Sequence, residues 1–387
     1  MDRLSDRTRL IASATRRGRG RRPVSPPIER ASTLLSDQVA DMRDDSLGPV
    51  YGIDGTASQA ALREAVADLE GTKHCWLTPS GLSAVTVPIL ALTRPGDEVI
   101  TTDAVYGPVR RFLTRHLASR GVTTRFHAPD ASVEHIMALR TERTRLILIE
   151  SPASLTFEMT DVPTLAAAAR AQDVLTVMDN TWAAGLAFKP LAHGVDVSIQ
   201  ALTKYAAGHS DLLLGSVCAS DPAVAKAIGT TVEDLGLCVS PDDAWLALRG
   251  LRTLPVRYAE QARSAFKVAE WLSARPDVAR VFHPALPGDP GHPIWFRDYT
   301  GGASILGVVL NGGDARAAEA FLEALTLFGL GYSWGGFESL ATHETPQLAF
   351  RNAAPNLEGP LLRLHIGLED PADLIADLEQ AFAALRA

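Results

Sequence analysis

The 387-residue chain has only three cysteines, and their spacing fits neither a disulfide framework nor a zinc site. Cys75, Cys218 and Cys238 form no CxxC pair, which predicts reduced thiols in a cytoplasmic protein. None of the ten histidines belongs to an HExxH motif, and residues 80–83 (SGLS) do not form a GxSxG elbow. These absences argue against a metalloenzyme and a serine hydrolase.

The chain also lacks a long apolar run and an excess of positive charge. Residues 82–92 are too few to span a bilayer and include Pro88. The net charge of −8 argues against nucleic acid or an anionic membrane as the main partner. The arginine-rich segment 16–22 has no apolar core, so it is not a secretory signal, and Asp2 and Asp6 count against a mitochondrial transit peptide. We interpret this segment as a solvated or subunit-bridging arm.

Lysine is scarce as well, because the chain has only five lysines, at positions 73, 189, 204, 226 and 267. Of these, Lys204 alone follows an apolar stretch of strand length, and Asp179 ends a similar stretch. Neighbouring parallel strands would bring this amine and this carboxylate to the same edge of a sheet. A lysine can form a Schiff base with an aldehyde, and a carboxylate can hold a pyridine nitrogen protonated. The pair therefore predicts pyridoxal 5′-phosphate (PLP) as cofactor.

Each of these residues also has an ordinary structural interpretation. An isolated Lys204 would be a surface residue that caps a strand, and Asp179 begins a turn-like Asp-Asn-Thr segment. The two residues together favour the PLP site over these alternatives.

Three further features fit a PLP site. Ser80-Gly81 precedes an apolar helix whose free N–H groups would bind a phosphate, although such a pair is usually only a helix cap. Tyr106 follows a predicted strand, where it would stack on the cofactor ring or serve as a turn aromatic. Arg363 lies between leucines and needs a partner, which would be a substrate carboxylate or a buried acidic residue.

The periodicity predicts an α/β fold with a mainly parallel sheet, helices on both faces, and a smaller α+β domain after it. We expect an N-terminal arm at 1–55, a large PLP-binding domain at 56–250 and a small C-terminal domain at 251–387. Helices are predicted at 59–70, 81–93, 108–120, 163–172, 251–275, 315–325 and 372–385. Strands are predicted at 98–103, 123–127, 145–151, 213–219, 278–282, 305–310 and 361–366, with two more ending at Asp179 and Leu202.

From Tyr51 onward, the sequence contains Tyr51-Gly52-x-x-Gly55-Thr56, followed in order by LEG at 69–71, ESP at 150–152, DNTWAAG at 179–185, TKYAAGHSD at 203–211, RGLRTL at 249–254, HPALP at 283–287, YSWGGFES at 332–339 and RLHIGLE at 363–369. In these segments and their order, the chain resembles the cystathionine β-lyase branch of the Cys/Met-metabolism PLP enzymes, which have fold type I.

This resemblance implies a role for each matching residue. Lys204 would be the Schiff-base lysine and proton-transfer group, Asp179 would pair with the ring nitrogen, and Tyr106 would stack on the ring beside the substrate. The phosphate would be held by Gly81, the Leu82 backbone and Thr203, with Tyr51 reaching it from a neighbouring subunit. Arg363 would bind the substrate carboxylate, with Ser333 and Trp334 nearby. The resemblance also implies a homotetramer, built as a dimer of dimers, with active sites shared between subunits.

One position departs from the family pattern. The family usually has Tyr-x-Arg at the Tyr51 motif, and that arginine helps to neutralise the phosphate across the dimer interface. In this sequence Ile53 occupies the position of that arginine, and Asp54 follows it. A charge-assisted contact typically contributes ~1.5–3 kcal/mol, so PLP binding would weaken unless another arginine substitutes. The segment 16–22 is the expected substitute.

The implied reaction is a β-elimination that cleaves a thioether amino acid, with cystathionine giving homocysteine, pyruvate and ammonia. The alternatives within the family are a cysteine-S-conjugate β-lyase, a γ-lyase and a cystathionine γ-synthase. Trp334 favours the β-lyase branch, because the γ-acting relatives usually lack it. A non-catalytic PLP-fold protein is a further alternative, and Ile53 is its only support.

Overall fold

The computed structural model describes residues 4–13, 21 and 23–385. Its helices are α1 (Asp6–Ala12), α2 (Ala57–Glu70), α3 (Gly81–Leu92), α4 (Gly107–Arg111), α5 (Val133–Ala138), α6 (Val162–Arg170), α7 (Pro222–Asp234), α8 (Pro241–Leu251), α9 (Leu254–Ser273), α10 (His292–Asp298), α11 (Ala315–Ala324), α12 (Thr345–Leu348) and α13 (Pro371–Ala384). Its strands are β1 (His74–Thr78), β2 (Glu98–Thr102), β3 (Thr123–His127), β4 (Thr144–Glu150), β5 (Leu175–Asp179), β6 (Val197–Gln200), β7 (Gly215–Ala219), β8 (Val278–Phe282), β9 (Ile305–Leu310), β10 (Gly329–Leu330), β11 (Leu340–His343) and β12 (Leu361–His365).

The larger sheet has seven strands in the order β1-β7-β6-β5-β4-β2-β3. The pairs from β3 through β6 are parallel, and β7 runs antiparallel to both of its neighbours. Along β4, Ile147 and Ile149 belong to one buried apolar cluster, and Leu146 and Leu148 belong to another. Because side chains alternate along a strand, the two clusters lie on opposite faces. The prediction of a mainly parallel sheet with helices on both faces is confirmed.

The smaller sheet has five strands in the order β10-β11-β12-β9-β8. It is antiparallel except for the short pair between β10 and β11. Helices α9, α11 and α13 contribute Val268, Phe321 and Phe382 to a third buried cluster together with the strands. This sheet is the smaller α+β part that the sequence predicts, and β12 brings Arg363 with it.

Several local predictions are confirmed at the residues that begin a helix. Asp161 accepts a hydrogen bond from the Thr164 backbone at 3.2 Å and caps α6. Asp370 caps α13 by accepting from the Ala372 backbone at 2.8 Å. Each helix has a proline in its first turn, Pro163 as the second residue of α6 and Pro371 as the first residue of α13, where the missing N–H is harmless.

Other elements and boundaries differ from those that the sequence predicts. The segment 1–55, for which no helix or strand is predicted, includes α1, which buries Leu10. The predicted helix 251–275 corresponds to α9, which runs from Leu254 to Ser273. Leu251 is the last residue of α8, and Pro255 occupies the first turn of α9, where its missing N–H is tolerated. The predicted helix 108–120 is helical from Gly107 onward, but its hydrogen bonding changes from α to π over Phe112–Leu117.

Of the arginine-rich segment 16–22, only Arg21 lies within the described residues. The three-part division at 55/56 and 250/251 stays a prediction. Within the described ranges, no helix is both long enough and apolar enough to cross a membrane.

Candidate active site

A cavity of about 1070 Å³ lies where the two sheets meet. Glu150 and Asp179, the last residues of β4 and β5, line it together with Lys204, which follows β6. From the smaller sheet, Ile305 at the start of β9 and Arg363 in β12 line it as well. The cavity thus occupies the carboxyl edge of the parallel strands, as ligand sites in such sheets do.

Lys204 is fixed in the turn that follows β6. Its backbone N–H donates to the Ala201 carbonyl at 3.0 Å, and its own carbonyl accepts from Gly208 at 2.8 Å. Its Nζ donates to Ser333 Oγ at 2.8 Å. Burial lowers the pKa of Lys204 to about 8, with a further lowering by Arg363 that the Asp179 charge opposes. Near neutral pH a usable share of this amine is therefore uncharged, as a nucleophile or a base requires.

Asp179 presents one carboxylate oxygen to the protein. Its Oδ1 accepts from the Thr181 backbone at 3.0 Å and from Thr181 Oγ1 at 2.5 Å. Burial raises the pKa of Asp179, while the Thr181 bonds and the Lys204 charge oppose the rise. Its other oxygen, Oδ2, accepts no hydrogen bond from the described residues, so it is available to a donor in the cavity.

Glu150 stands beside Asp179, because the two residues pair across β4 and β5. Its Oε2 accepts from the Tyr106 backbone at 2.7 Å. Burial, and then the charge of Asp179, raise the pKa of Glu150. This carboxyl group is a part of the site that the sequence analysis missed, although it ends a strand in the same way as Asp179.

The start of α3 forms a further wall of the cavity. Ser80 caps the helix by accepting from Ser83 N–H at 3.1 Å, and the N–H groups of Gly81 and Leu82 have no intrahelical acceptor. A Cβ atom on Gly81 would lie 2.4 Å from Ala201 Cβ, so only glycine fits there. Free N–H groups at a helix start, beside the half-buried Lys204, are a donor set that fits a phosphate.

Thr203 also lines the cavity, but its hydroxyl already has partners. Thr203 Oγ1 donates to the Leu214 carbonyl at 3.1 Å and accepts from the Leu214 N–H at 2.9 Å. Its expected contact with the phosphate stays a prediction.

Tyr106 forms the rim of the cavity at the start of α4. Tyr106 is 44% exposed and lines the cavity, so part of its side chain is accessible to a ligand. Burial of the hydroxyl and the Glu150 charge raise the pKa of Tyr106, whereas Arg363 and Arg111 lower it. A half-open aromatic ring beside Asp179 and Lys204 is suited to stacking on a flat heterocycle.

Arg363 has the buried acidic partner that the sequence analysis named as one alternative. Its Nη1 lies 3.3 Å from Glu344 Oε1, and the Glu344 side chain has no exposed surface. Thr342 Oγ1 donates to Glu344 Oε1 at 2.7 Å, and Gln347 donates to Oε2. Since no guanidinium nitrogen of Arg363 is both buried and unpaired, the remaining donors face the cavity. Arg363 can therefore pair with the buried Glu344 and still offer donors to a carboxylate in the cavity.

Ser333 and Trp334 line the cavity opposite the start of α3. Ser333 has φ of +117°, a conformation that favours glycine and strains other residues. A Cβ on Gly335 would lie 2.7 Å from the Tyr205 backbone nitrogen, so this segment packs directly against the lysine turn. The strained backbone is what presents the Ser333 hydroxyl to Lys204.

Tyr51 lies outside this cavity. Its ring is 53% exposed, and Tyr51 forms an isolated bridge with Thr33. Ile53 and Asp54 do not line the cavity either, but line a smaller hollow near Cys238. Within the described residues of one chain, the structure brings together nine of the ten predicted site residues, and Tyr51 is the exception.

A parallel sheet with a lysine, a carboxylate, an aromatic ring and an anion-binding helix start at its carboxyl edge defines a PLP-dependent enzyme. The chain belongs to the Cys/Met metabolism PLP-dependent enzyme family, whose sequence profile matches residues 7–383. The family prediction and its cofactor, PLP, are thereby confirmed.

Individual relatives agree with this assignment. The chain is 46% identical to a cystathionine beta-lyase of Bordetella avium over 94% of this chain and 92% of that protein. It is 41% identical to the cystathionine beta-lyase MetC of Escherichia coli strain K12 over 94% of both chains. A crystal structure of metB from Corynebacterium glutamicum superimposes with a TM-score of 0.93 at 30% identity, covering 99% of each chain.

Proposed function

We propose that the protein is a PLP-dependent carbon–sulfur lyase that cleaves cystathionine by β-elimination. With water, the products would be homocysteine, pyruvate and ammonia. The observation that carries this proposal is the convergence of Lys204, Asp179 and Arg363 on one cavity. The relatives named cystathionine beta-lyase support the choice of reaction and substrate.

Bound PLP would withdraw electrons from the substrate Cα and so make its proton removable. We assign its aldehyde to Lys204, its ring nitrogen to Asp179, its ring face to Tyr106, and its phosphate to the N–H groups of Gly81 and Leu82 and to Thr203. The free Oδ2 of Asp179 supports the second of these assignments, because Oδ1 is already occupied by Thr181. The free helix start supports the phosphate assignment.

Lys204 would also move the proton at Cα. Its pKa, lowered to about 8 by burial, leaves part of the amine neutral at physiological pH. Ser333 Oγ at 2.8 Å would orient Nζ, since the amine needs a fixed direction toward the substrate.

Arg363 would bind the substrate carboxylate, with Ser333, Trp334 and Tyr106 around the reacting end. A planar guanidinium can hold a carboxylate through two parallel hydrogen bonds, which fixes its orientation. Glu344 would hold the guanidinium in place from the buried side. Arg363 would then orient Cα toward the lysine.

The identity of the keto acid tests the reaction. Purified protein should release pyruvate from cystathionine, and Lys204→Ala should release none. Release of 2-oxobutyrate would instead indicate γ-elimination, which the same arrangement of lysine and arginine would support. Absence of any keto acid from PLP-saturated protein would overturn the lyase proposal.

We further propose a cytoplasmic homotetramer in which Tyr51 completes the active site of a neighbouring subunit. The exposure of Tyr51, its position outside the cavity of its own chain, and three free cysteines support this. Inactive Tyr51→Phe and Lys204→Ala proteins, mixed under conditions that exchange subunits, should recover activity in hybrid dimers. No recovery after verified exchange would contradict sharing of the site.

A further inference from the structure

The cavity carries more positive than negative charge. Five cationic residues line it: Lys204, Arg110, Arg111, Arg115 and Arg363. Among the described residues, two acidic ones line it, Glu150 and Asp179. A concave surface with an excess of one sign attracts ligands of the other sign.

Three of the five cations have an acidic partner. Arg110 Nη1 donates to Asp103 Oδ1 at 2.7 Å, and Arg363 lies 3.3 Å from Glu344. Lys204 interacts electrostatically with Asp179. None of these three is therefore an uncompensated charge.

Arg111 and Arg115 differ from the other three. Both are exposed, and neither forms an ion pair with a described carboxylate. They lie four residues apart, on α4 and on the π-type turn that continues it, and Thr114 between them also lines the cavity. Residues at this spacing lie on one side of a helix. Arg111 is close enough to Tyr106 for its charge to lower the pKa of the phenol.

Two anions of the proposed reaction already have donors. The phosphate of the cofactor is assigned to the start of α3, and the α-carboxylate of the substrate is assigned to Arg363. A pair of uncompensated arginines on the wall of the same cavity indicates a third anion. A thioether that joins two amino acids supplies this third anion, because its far end carries a second carboxylate.

We propose that Arg111 and Arg115 form an oxyanion-binding wall that selects substrates with a negatively charged group at the far end of the thioether. This inference rests on the proposed β-lyase function and assigns its substrate class. The cofactor phosphate is an oxyanion as this carboxylate is, and arginine binds both. The test must therefore separate the phosphate from the carboxylate as the ligand.

The substrate arm compares three cysteine thioethers that differ in the charge of the far group: S-carboxyethylcysteine, S-propylcysteine and S-aminoethylcysteine. Pyruvate release gives kcat/KM for each. The wild-type protein should prefer the anionic compound over the neutral one, and the neutral one over the cationic one. Pyruvate release from the neutral compound tests the β-lyase proposal independently of the oxyanion-binding wall. A failure of the β-lyase proposal can therefore be distinguished from a failure of the proposal for the wall.

The variants are Arg111→Ala, Arg115→Ala and the double variant. Each single change should lower kcat/KM for the anionic compound by about 5- to 10-fold, because a partly exposed arginine–carboxylate contact is weaker than a buried one. The neutral compound should change less than about twofold, since it makes no such contact. The matched control is Arg120→Ala, which removes an exposed arginine that lies five residues beyond Arg115 and does not line the cavity.

The cofactor arm measures the Kd of PLP for the apo protein by absorbance titration, without turnover. A PLP affinity in the variants equal to that of wild type, together with the loss of charge selection, supports the substrate carboxylate as the ligand. A weaker PLP affinity, with equal losses for all three thioethers, assigns the wall to the phosphate and overturns the substrate selection. Unchanged selection and unchanged PLP affinity would overturn the oxyanion wall altogether.

Discussion

The pair formed by Arg363 and Glu344 allows a quantitative prediction. Glu344→Gln replaces a fully buried carboxylate with a neutral side chain of nearly the same shape. The amide oxygen can still accept from Thr342, which donates to Oε1 at 2.7 Å, and the Gln347 amide, which donates to Oε2, can turn to accept from the new NH2 group. The main change is thus the loss of the negative charge that compensates Arg363.

Removing one partner of a buried ion pair leaves the other charge uncompensated, which costs about 3–5 kcal/mol when that charge is fully buried. The Arg363 side chain is 13% exposed toward the cavity and keeps some access to water. We therefore expect Glu344→Gln to lower the free energy of unfolding by about 1.5–3 kcal/mol, the range of a charge-assisted hydrogen bond. Removing both charges, as in Glu344→Gln with Arg363→Met, should cost less than the sum of the single changes.

A carboxylate ligand should restore part of this loss. Glycine has the carboxylate and amine of the substrate but no Cβ–S bond to break. Because it would give Arg363 a new partner, it should stabilise Glu344→Gln more than it stabilises the wild-type protein. Methylamine, which lacks the carboxylate, should not distinguish the two proteins.

Urea unfolding of the PLP-saturated proteins, with and without glycine, measures these differences. Glu319→Gln is the control, because Glu319 is exposed on α11, and such a change should stay within about 0.5 kcal/mol of wild type. The reasoning is refuted if Glu344→Gln is as stable as this control, or if the two single changes are additive.

Three more predictions concern the lysine turn and its walls. The rate at which the apo protein takes up PLP should rise about tenfold per pH unit below the Lys204 pKa of about 8 and level off above it, because only the neutral amine reacts. A stopped-flow rate that is constant on both sides of this pKa would contradict the prediction. Gly81→Ala should weaken PLP binding in an absorbance titration, because the new Cβ would lie 2.4 Å from Ala201 Cβ and displace the start of α3. A PLP affinity equal to that of wild type would rule out the contact between the start of α3 and the phosphate. Ser333→Gly should raise the free energy of unfolding by about 1 kcal/mol, because it relieves the strain at φ of +117°. The same variant should release pyruvate more slowly. A variant that is less stable than wild type and fully active would contradict both expectations.

The sequence predicts the parts of the site that chain order and strand pattern determine. Lys204 and Asp179 follow apolar stretches, and parallel strands must end at the same edge, so their proximity follows from the fold class. Gly81 is recognisable because it precedes an apolar helix. Arg363 is recognisable because a buried guanidinium needs a partner.

The remaining parts depend on how the two sheets pack, which no local pattern encodes. Glu344 reaches Arg363 because β11 pairs with β12 in a register that sets Thr342 opposite Arg363. A search for an acidic residue at the end of the neighbouring strand could have found it, but the sequence does not predict this strand. Arg111 and Arg115 look like ordinary charges on an exposed helix until the cavity is seen beside them.

A buried polar chain explains why Lys204 and Arg363 keep a fixed relation, although the elements that carry them belong to different sheets. Tyr205, the neighbour of Lys204, shares a hydrogen bond of 2.7 Å with Ser304, and Ser304 Oγ lies 2.9 Å from His365 Nδ1 in the strand of Arg363. The Gly335 N–H lies 3.1 Å from His365 Nε2, which adds the segment of Ser333 to the same chain.

Burial lowers the pKa of His365 to about 3, so the ring is neutral across the physiological range and this link does not change with pH. Buried polar groups outside the cavity thus determine the relative positions of Lys204 and Arg363, which line it. Replacing His365 should therefore disturb both the orientation of Lys204 and the position of Arg363, although His365 itself does not line the cavity.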